Sequence, residues 1–220
     1  MILFWVALKM YLTLCKAKVL WMRELLGRCV IGLLVLTVMA PATIAAVTGG
    51  ASAAKAPATV PAEPYIAHGE MQNFTVRKTP QNMPEIRFQD GNGKDLSLAD
   101  FEGRVVLLNL WATWCAPCRR EMPDIAALQS TYGGKDFIVV ALSQDRKGIA
   151  AVRDFYAEIG VKDLEIFIDQ KAKTARKLRA PGLPTTLLLN KQGQELGRLI
   201  GPANWNSQDA RQLIEHYLRD

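Results

Sequence analysis

Cysteine and histidine are both scarce in this chain: 220 residues hold four of the first and two of the second. Four cysteines are too few for a small domain stapled by disulfides. Half of the residues are hydrophobic and 22% are charged, enough for one globular domain with a sizeable core and extra segments besides. The histidines, His68 and His216, are single and distant in sequence from the cysteines, and no second C-x-x-C or His-x-His accompanies the one C-x-x-C present. That ligand count argues against a tetrahedral zinc site. Basic charge is also thin once it is located. Lys9, Lys16, Lys18, Arg23 and Arg28 against Glu24 place +4 of the formal +6 ahead of residue 29. The remainder carries +2 with no basic run interleaved with aromatics, so no nucleic-acid partner is expected.

What is present starts with an uncharged run, residues 29–47. As a helix it spans about 28 Å, close to the ~30 Å hydrocarbon core of a bilayer. The cations ahead of it predict a cytoplasmic N-terminal segment over 1–28 and export of the rest, a single-pass inner-membrane arrangement with a periplasmic C-terminal domain. Pro41 and the small residues after it, with Ala51-Ser52-Ala53, also fit a cleaved signal. Met22-Arg23-Glu24 resembles a charged leader start, which makes Met22 or Met10 a candidate initiation site. Residues 48–71, rich in Ala, Pro, Gly and Thr, read as a linker.

From 72 to 220 the pattern is globular and α/β. Gly91-Asn92-Gly93 after Ile86–Phe88 predicts a hairpin. Residues 105–110 and 137–142 read as strands buried on both faces, 164–168 as a short strand, and 185–189 with 195–200 as a terminal hairpin. Amphipathic spacing predicts helices after the cysteines to Tyr132, from Ile149 to Ile159, over 173–178 and over 210–218. Strands alternating with helices, then a hairpin, give a mixed central sheet flanked by helices.

Cys115 and Cys118 fall between a buried strand and a helix. A cysteine at a helix N-terminus faces unpaired N–H groups and the positive end of the macrodipole, and both favour the nucleophilic thiolate. Cys115 is therefore the expected nucleophile. Cys118, one turn on, is the expected resolving thiol in thiol–disulfide exchange. Pro117 suits the first helical turn, where its missing N–H is not needed. A static structural disulfide is the plain alternative. Glu121, three residues after Cys118, shares its helix face and is placed either to take the Cys118 proton or to sit on the surface near the helix dipole.

Trp114-Cys115-Ala116-Pro117-Cys118 resembles the W-C-x-P-C signature of thioredoxin-fold oxidoreductases, and Gly182-Leu183-Pro184-Thr185 resembles the loop where that family carries a cis-proline. More narrowly, the chain resembles the TlpA/ResA type of membrane-anchored thioredoxin-like proteins. The likeness runs from about Pro84 to Leu218, through Phe88-x-Asp90-x-x-Gly93-Lys94, Leu98-x-Asp100-Phe101-x-Gly103, the active-site segment and Arg119-Arg120-Glu121-Met122-Pro123.

The resemblance implies a thioredoxin-like fold with an N-terminal hairpin and a helix–strand insertion. It implies a cis Pro184 against the active site, Leu183 pairing with an extended substrate, and Trp114 and Pro117 beside it. It also implies that Glu121 assists Cys118, the more so because Asn109 stands where thioredoxin carries a buried aspartate. No cofactor is implied beyond the Cys115–Cys118 disulfide. The implied activity is extracytoplasmic reduction of protein disulfides, in apocytochrome c or during oxidase copper-site assembly, with re-reduction by a membrane thiol reductant. Ala116-Pro117, with no histidine between the cysteines, favours a reductant over an oxidant. A peroxiredoxin-type peroxidase would need Thr or Ser where Ala112 stands and proline where Leu108 stands. A copper-binding assembly chaperone would want a distal histidine that neither His68 nor His216 supplies convincingly. No oligomerisation signal is visible, so a monomer is the default.

Overall fold

Two strands with no exposed residue form the centre of the structure, a computed structural model that describes residues 65–219. They are β4 (Val105–Trp111) and β5 (Phe137–Ser143), all fourteen positions buried and paired in parallel from Val105↔Phe137 to Trp111↔Ser143. Side chains alternate across a strand. Val105, Leu107 and Trp111 with Phe137, Val139 and Ala141 therefore enter one core cluster, and Val106, Leu108 and Leu110 with Ile138, Val140 and Leu142 enter the other. This is the signature of a sheet covered on both faces.

Around this centre the remaining strands are β1 (Thr75–Asn82), β2 (Arg87–Asp90), β3 (Asp95–Ser97), β6 (Phe167–Ile168), β7 (Thr185–Leu189) and β8 (Gln194–Ile200). They complete an eight-stranded sheet in the order β1-β8-β7-β4-β5-β6-β2-β3. β6 runs parallel to β5, and β7 antiparallel to β4. The first cluster gathers α1 (Ala116–Tyr132), α2 (Ile149–Glu158) and α4 (Gln208–Leu218) through Met122, Ile125, Leu128, Val152, Phe155, Leu213 and Ile214. The second takes the β2–β3 hairpin and, through Leu178, the short helix α3 (Lys173–Lys177). The mixed sheet flanked by helices is the expected thioredoxin-like arrangement.

Three differences from the sequence reading have physical causes. β1 is absent from the sequence reading, because Thr-Val-Arg-Lys-Thr-Pro-Gln-Asn holds a single large apolar residue, no apolar alternation and a proline, which outweigh its β-branched Thr and Val. It is an edge strand, made by backbone pairing to β8 and interrupted by a bulge between Val76 and Gln81 that accommodates Pro80. The buried Glu195 fastens it: Arg198 and Arg77 guanidiniums lie 2.6 and 2.9 Å from its carboxylate. Burial works against ionisation there, but those two cations hold the carboxyl below its usual range. The strand expected over 164–168 contracts to Phe167–Ile168, with Leu164 buried in the preceding loop.

The third difference lies at the end of the linker: residues 65–71 pack onto the domain. Met71 is fully buried, and the Tyr65 hydroxyl donates to the Asp209 carbonyl at 3.4 Å. His68 Nδ1 lies 3.1 Å from the Asp209 carboxylate. The N-terminal segment 1–28, the run 29–47, the alternative starts and residues 48–64 lie outside the described residues. Among the described residues no helix is long and apolar enough to cross a membrane.

Gly197, inside β8, marks where the chain entering β1 comes closest. A Cβ there would meet Phe74 Cε1 at 2.5 Å and the Thr75 carbonyl oxygen at 2.7 Å. Backbone cannot yield as a flexible side chain does, so Gly197→Ala is expected to destabilise the domain by about 1–3 kcal/mol. Urea unfolding checks this, and an unchanged midpoint would contradict the packing described.

Candidate redox site

β4 delivers the chain to its C-terminal edge, where the backbone leaves the sheet and turns into α1 within four residues. Trp111, fully buried, anchors the exit: its ring stacks on Tyr156 at 5.7 Å with 5° between planes and contacts Phe155 at 5.4 Å. The turn is closed by the Cys115 N–H donating to the Ala112 carbonyl at 3.1 Å. Cys115 then occupies the N-cap of α1 in extended backbone, and its sulfur accepts the Cys118 N–H at 3.3 Å. The helix-start geometry argued from sequence is realised, with sulfur in the place of the usual capping oxygen.

Cys115 and Cys118 are disulfide-bonded, with Cα atoms 5.3 Å apart. Cys115 is 6% exposed and Cys118 0%, so only Cys115 presents an edge to a partner. Pro117 is half-buried in the first turn. Trp114 is 69% exposed, a large apolar surface beside the disulfide, whereas Trp111 is core. Leu183-Pro184 is a cis peptide. The register Leu110↔Thr185 sets Pro184 across from the end of β4, where the redox loop begins. Pro184 is buried, and half-buried Leu183 packs on the cluster that contains both cysteines. The expected residues thus converge on one edge of the sheet.

Glu121 faces inward rather than to the surface, and is 3% exposed. Asn109 Nδ2 donates to Oε1 at 3.0 Å and the Ala203 N–H to Oε2 at 3.2 Å. The Trp205 indole N–H lies near enough to act on the same carboxylate, though short of full hydrogen-bond geometry. Burial pushes the Glu121 carboxyl up to about 7, against the opposing effect of the Asn109, Ala203 and Trp205 donors. Asn109 also donates to Thr186 Oγ1 at 2.9 Å, its register partner on β7. A polar seam therefore runs through the apolar layer from β7 through β4 to α1.

Asp145 was not anticipated. It is 1% exposed, and its carboxylate accepts Thr113 N–H at 2.8 Å, Thr113 Oγ1–H at 2.7 Å and Ser143 Oγ–H at 2.7 Å. These bonds pin the loop residue two before Cys115 to the end of β5. The signal in sequence was Ser-x-Asp directly after a buried strand, a local side-chain-to-backbone motif that no spacing rule ties to residue 113. Arg119 adds a clasp, with its guanidinium 2.6 Å from Glu158 and 4.4 Å from the Phe155 ring centre. Among the described residues there is no group of three or more side chains suited to holding a metal ion.

The Redoxin family model matches residues 78–214. The chain belongs to the Redoxin family. A similar relative is the thiol-disulfide oxidoreductase ResA of Bacillus thuringiensis (strain Al Hakam), 33% identical over 136 residues, which are 62% of this chain and 74% of that one. Among solved structures, a protein of Chlorobium tepidum assigned as the thiol:disulfide interchange protein DsbE superimposes with a TM-score of 0.57 at 28% identity, covering 64% of this chain and 98% of the other. A DsbF homologue from Corynebacterium diphtheriae gives 0.54 at 28% identity, covering 65% and 92%. This Redoxin-family chain is a thiol–disulfide oxidoreductase of the ResA type, with its dithiol at disulfide distance.

The raised Glu121 carboxyl makes a stability prediction. Its folded value, about 7, lies above the ordinary 4.5. Its contribution is then fully present below about pH 4.5 and is lost as pH rises through about 7, to a total of about 3 kcal/mol at most. Glu121→Gln should flatten that decline, so the variant gains on the wild type between pH 5 and 8. Parallel stability profiles from chemical unfolding would contradict the assignment.

Proposed function

We propose that the protein reduces disulfides of other proteins outside the cytoplasm, tethered through the apolar run at 29–47, with Cys115 as nucleophile, Cys118 as resolving thiol and Glu121 as proton acceptor. The observation that carries this reading is the pairing of an N-capping, partly accessible Cys115 sulfur with a buried carboxyl one helical turn past Cys118.

In the reduced protein the Cys115 thiolate attacks one sulfur of a substrate disulfide. A Cys115–substrate bond forms, the substrate's S–S bond breaks, and the other substrate sulfur leaves as a thiolate that takes a proton. Cys118 is buried and must lose its proton inside the protein. Glu121, its carboxyl pushed up to about 7 by burial, is a stronger base than an ordinary carboxylate and suited to receive it. The Cys118 thiolate then attacks Cys115, the mixed disulfide breaks, and the substrate departs with two electrons gained. The Cys115–Cys118 disulfide remains, and a thiol reductant in the membrane restores the dithiol. No cofactor enters the cycle.

Exposed Trp114, with Pro117, provides an apolar platform for the incoming chain. The backbone N–H and C=O of Leu183 make no backbone hydrogen bond among the described residues, which supports their pairing with an extended substrate segment. Heme-binding cysteines of apocytochrome c, or copper-site cysteines during oxidase assembly, are substrates of the right kind. The ResA name of the relatives supports the extracytoplasmic setting.

Replacing Glu121 by Gln should leave attack by Cys115 nearly unchanged and slow release from the mixed disulfide by about 10²-fold, the lower end for loss of a general base. Single-turnover reduction of an oxidised peptide separates the two steps. Equal effects on both, or none, would remove Glu121 from the mechanism.

A further inference from the structure

The near-neutral charge of residues 29–220 conceals a strong local asymmetry. Two segments, 143–149 and 168–184, contain Arg146, Lys147, Lys171, Lys173, Arg176, Lys177 and Arg179 against only Asp145 and Asp169. They carry +5, which leaves −3 for the rest of that region.

Topology puts the starts of both segments at the redox edge. The Gln144 N–H donates to the Trp111 carbonyl and Asp145 holds Thr113, so the turn after β5 abuts the redox loop. Ser143 pairs with Ile168, the Asp169 N–H donates to the Ser143 carbonyl, and the Gln170 side chain lies against Gly148. The turn after β6 therefore continues the same rim.

Within each turn the charges sort by sign. Asp145 and Asp169 are 1% and 6% exposed and are engaged internally, Asp169 accepting the Thr174 N–H at 2.6 Å. Arg146, Lys147, Lys171 and Lys173 follow them, all exposed, and none has an ion-pair partner among the described residues. Leaving four neighbouring cations uncompensated beside a redox centre sets up a positive field over the approach to Cys115.

We propose that this rim selects substrates whose reactive disulfide lies in an acidic polypeptide segment. The inference rests on the oxidoreductase reading above and adds the charge class of its partner. An anionic membrane surface is disfavoured as the occupant, because a bilayer seated on this edge would cover Trp114 and Cys115 and bar the substrate.

The test uses the reduced protein and two synthetic peptides with one internal disulfide, identical except for Asp or Lys residues flanking it, with bis(2-hydroxyethyl) disulfide as an uncharged control. At about 10 mM salt the acidic peptide should be reduced about tenfold or more faster than the basic one. The ratio should fall towards one near 1 M salt, where screening is nearly complete. The variant Lys147→Glu/Lys171→Glu/Lys173→Glu should abolish or invert the ratio while reducing the uncharged disulfide at the wild-type rate. Lys135→Glu/Lys191→Glu, at the opposite edge beside the start of β4, should leave the ratio intact.

Equal rates for the two peptides, or a ratio indifferent to the triple reversal, would overturn the proposal. So would equal peptide rates together with binding to phosphatidylglycerol vesicles that the triple reversal abolishes, which would assign the rim to the membrane. Failure to reduce even the uncharged disulfide would instead overturn the oxidoreductase reading itself.

Discussion

The start of α1 is the constraint on which the rest depends. A helix leaves its first N–H groups without internal partners, and here one of them points at the Cys115 sulfur. A sulfur so placed is better stabilised as an anion than as a thiol, and the effect requires the helix to start at residue 116 and nowhere else. Much of the surrounding structure secures that start. Trp111 is clamped by Tyr156 and Phe155, Asp145 fixes Thr113, and Arg119 ties the first turn to α2 through Glu158. The same helix then carries Glu121 into the polar seam at Asn109, so one element orients both the sulfur and the carboxylate.

The two cysteines are inequivalent because the sheet edge makes them so. Cys115 lies at the boundary with solvent and Cys118 within the packed layer. A buried thiol has no water to take its proton, which is why the proposed cycle assigns that proton to the buried Glu121 carboxyl. Asn109 bears on the energetics: as a neutral donor it stabilises the Glu121 carboxylate without adding a second negative charge to the layer. Its own Oδ1 finds no hydrogen-bond partner among the described residues.

Local features were legible in sequence. The buried strands at 105 and 137 announced themselves as apolar runs, the glycine-rich turn marked the β2–β3 hairpin, and C-x-x-C between strand and helix marked the redox site. The features that escaped depend on contacts between distant segments. β1 is held by backbone bonds and by Glu195, which its polar residues do not reveal. Asp145 reaches Thr113 across 32 positions in the chain. The Glu121 site is completed by Ala203, 82 residues away. Helical spacing placed Glu121 beside Cys118 but left its burial open, because burial depends on the loop after β8. The basic rim escaped for a related reason, being assembled from two segments that are separate in sequence.

The chain's path at the start of α1 is expected to make Cys115 ionise more readily than an ordinary thiol. Measuring the alkylation rate of Cys115 against pH in the reduced Cys118→Ser protein tests it most directly. A midpoint at least about one unit below the ~8.5 of a free cysteine is predicted. A midpoint at or above that value would contradict the account.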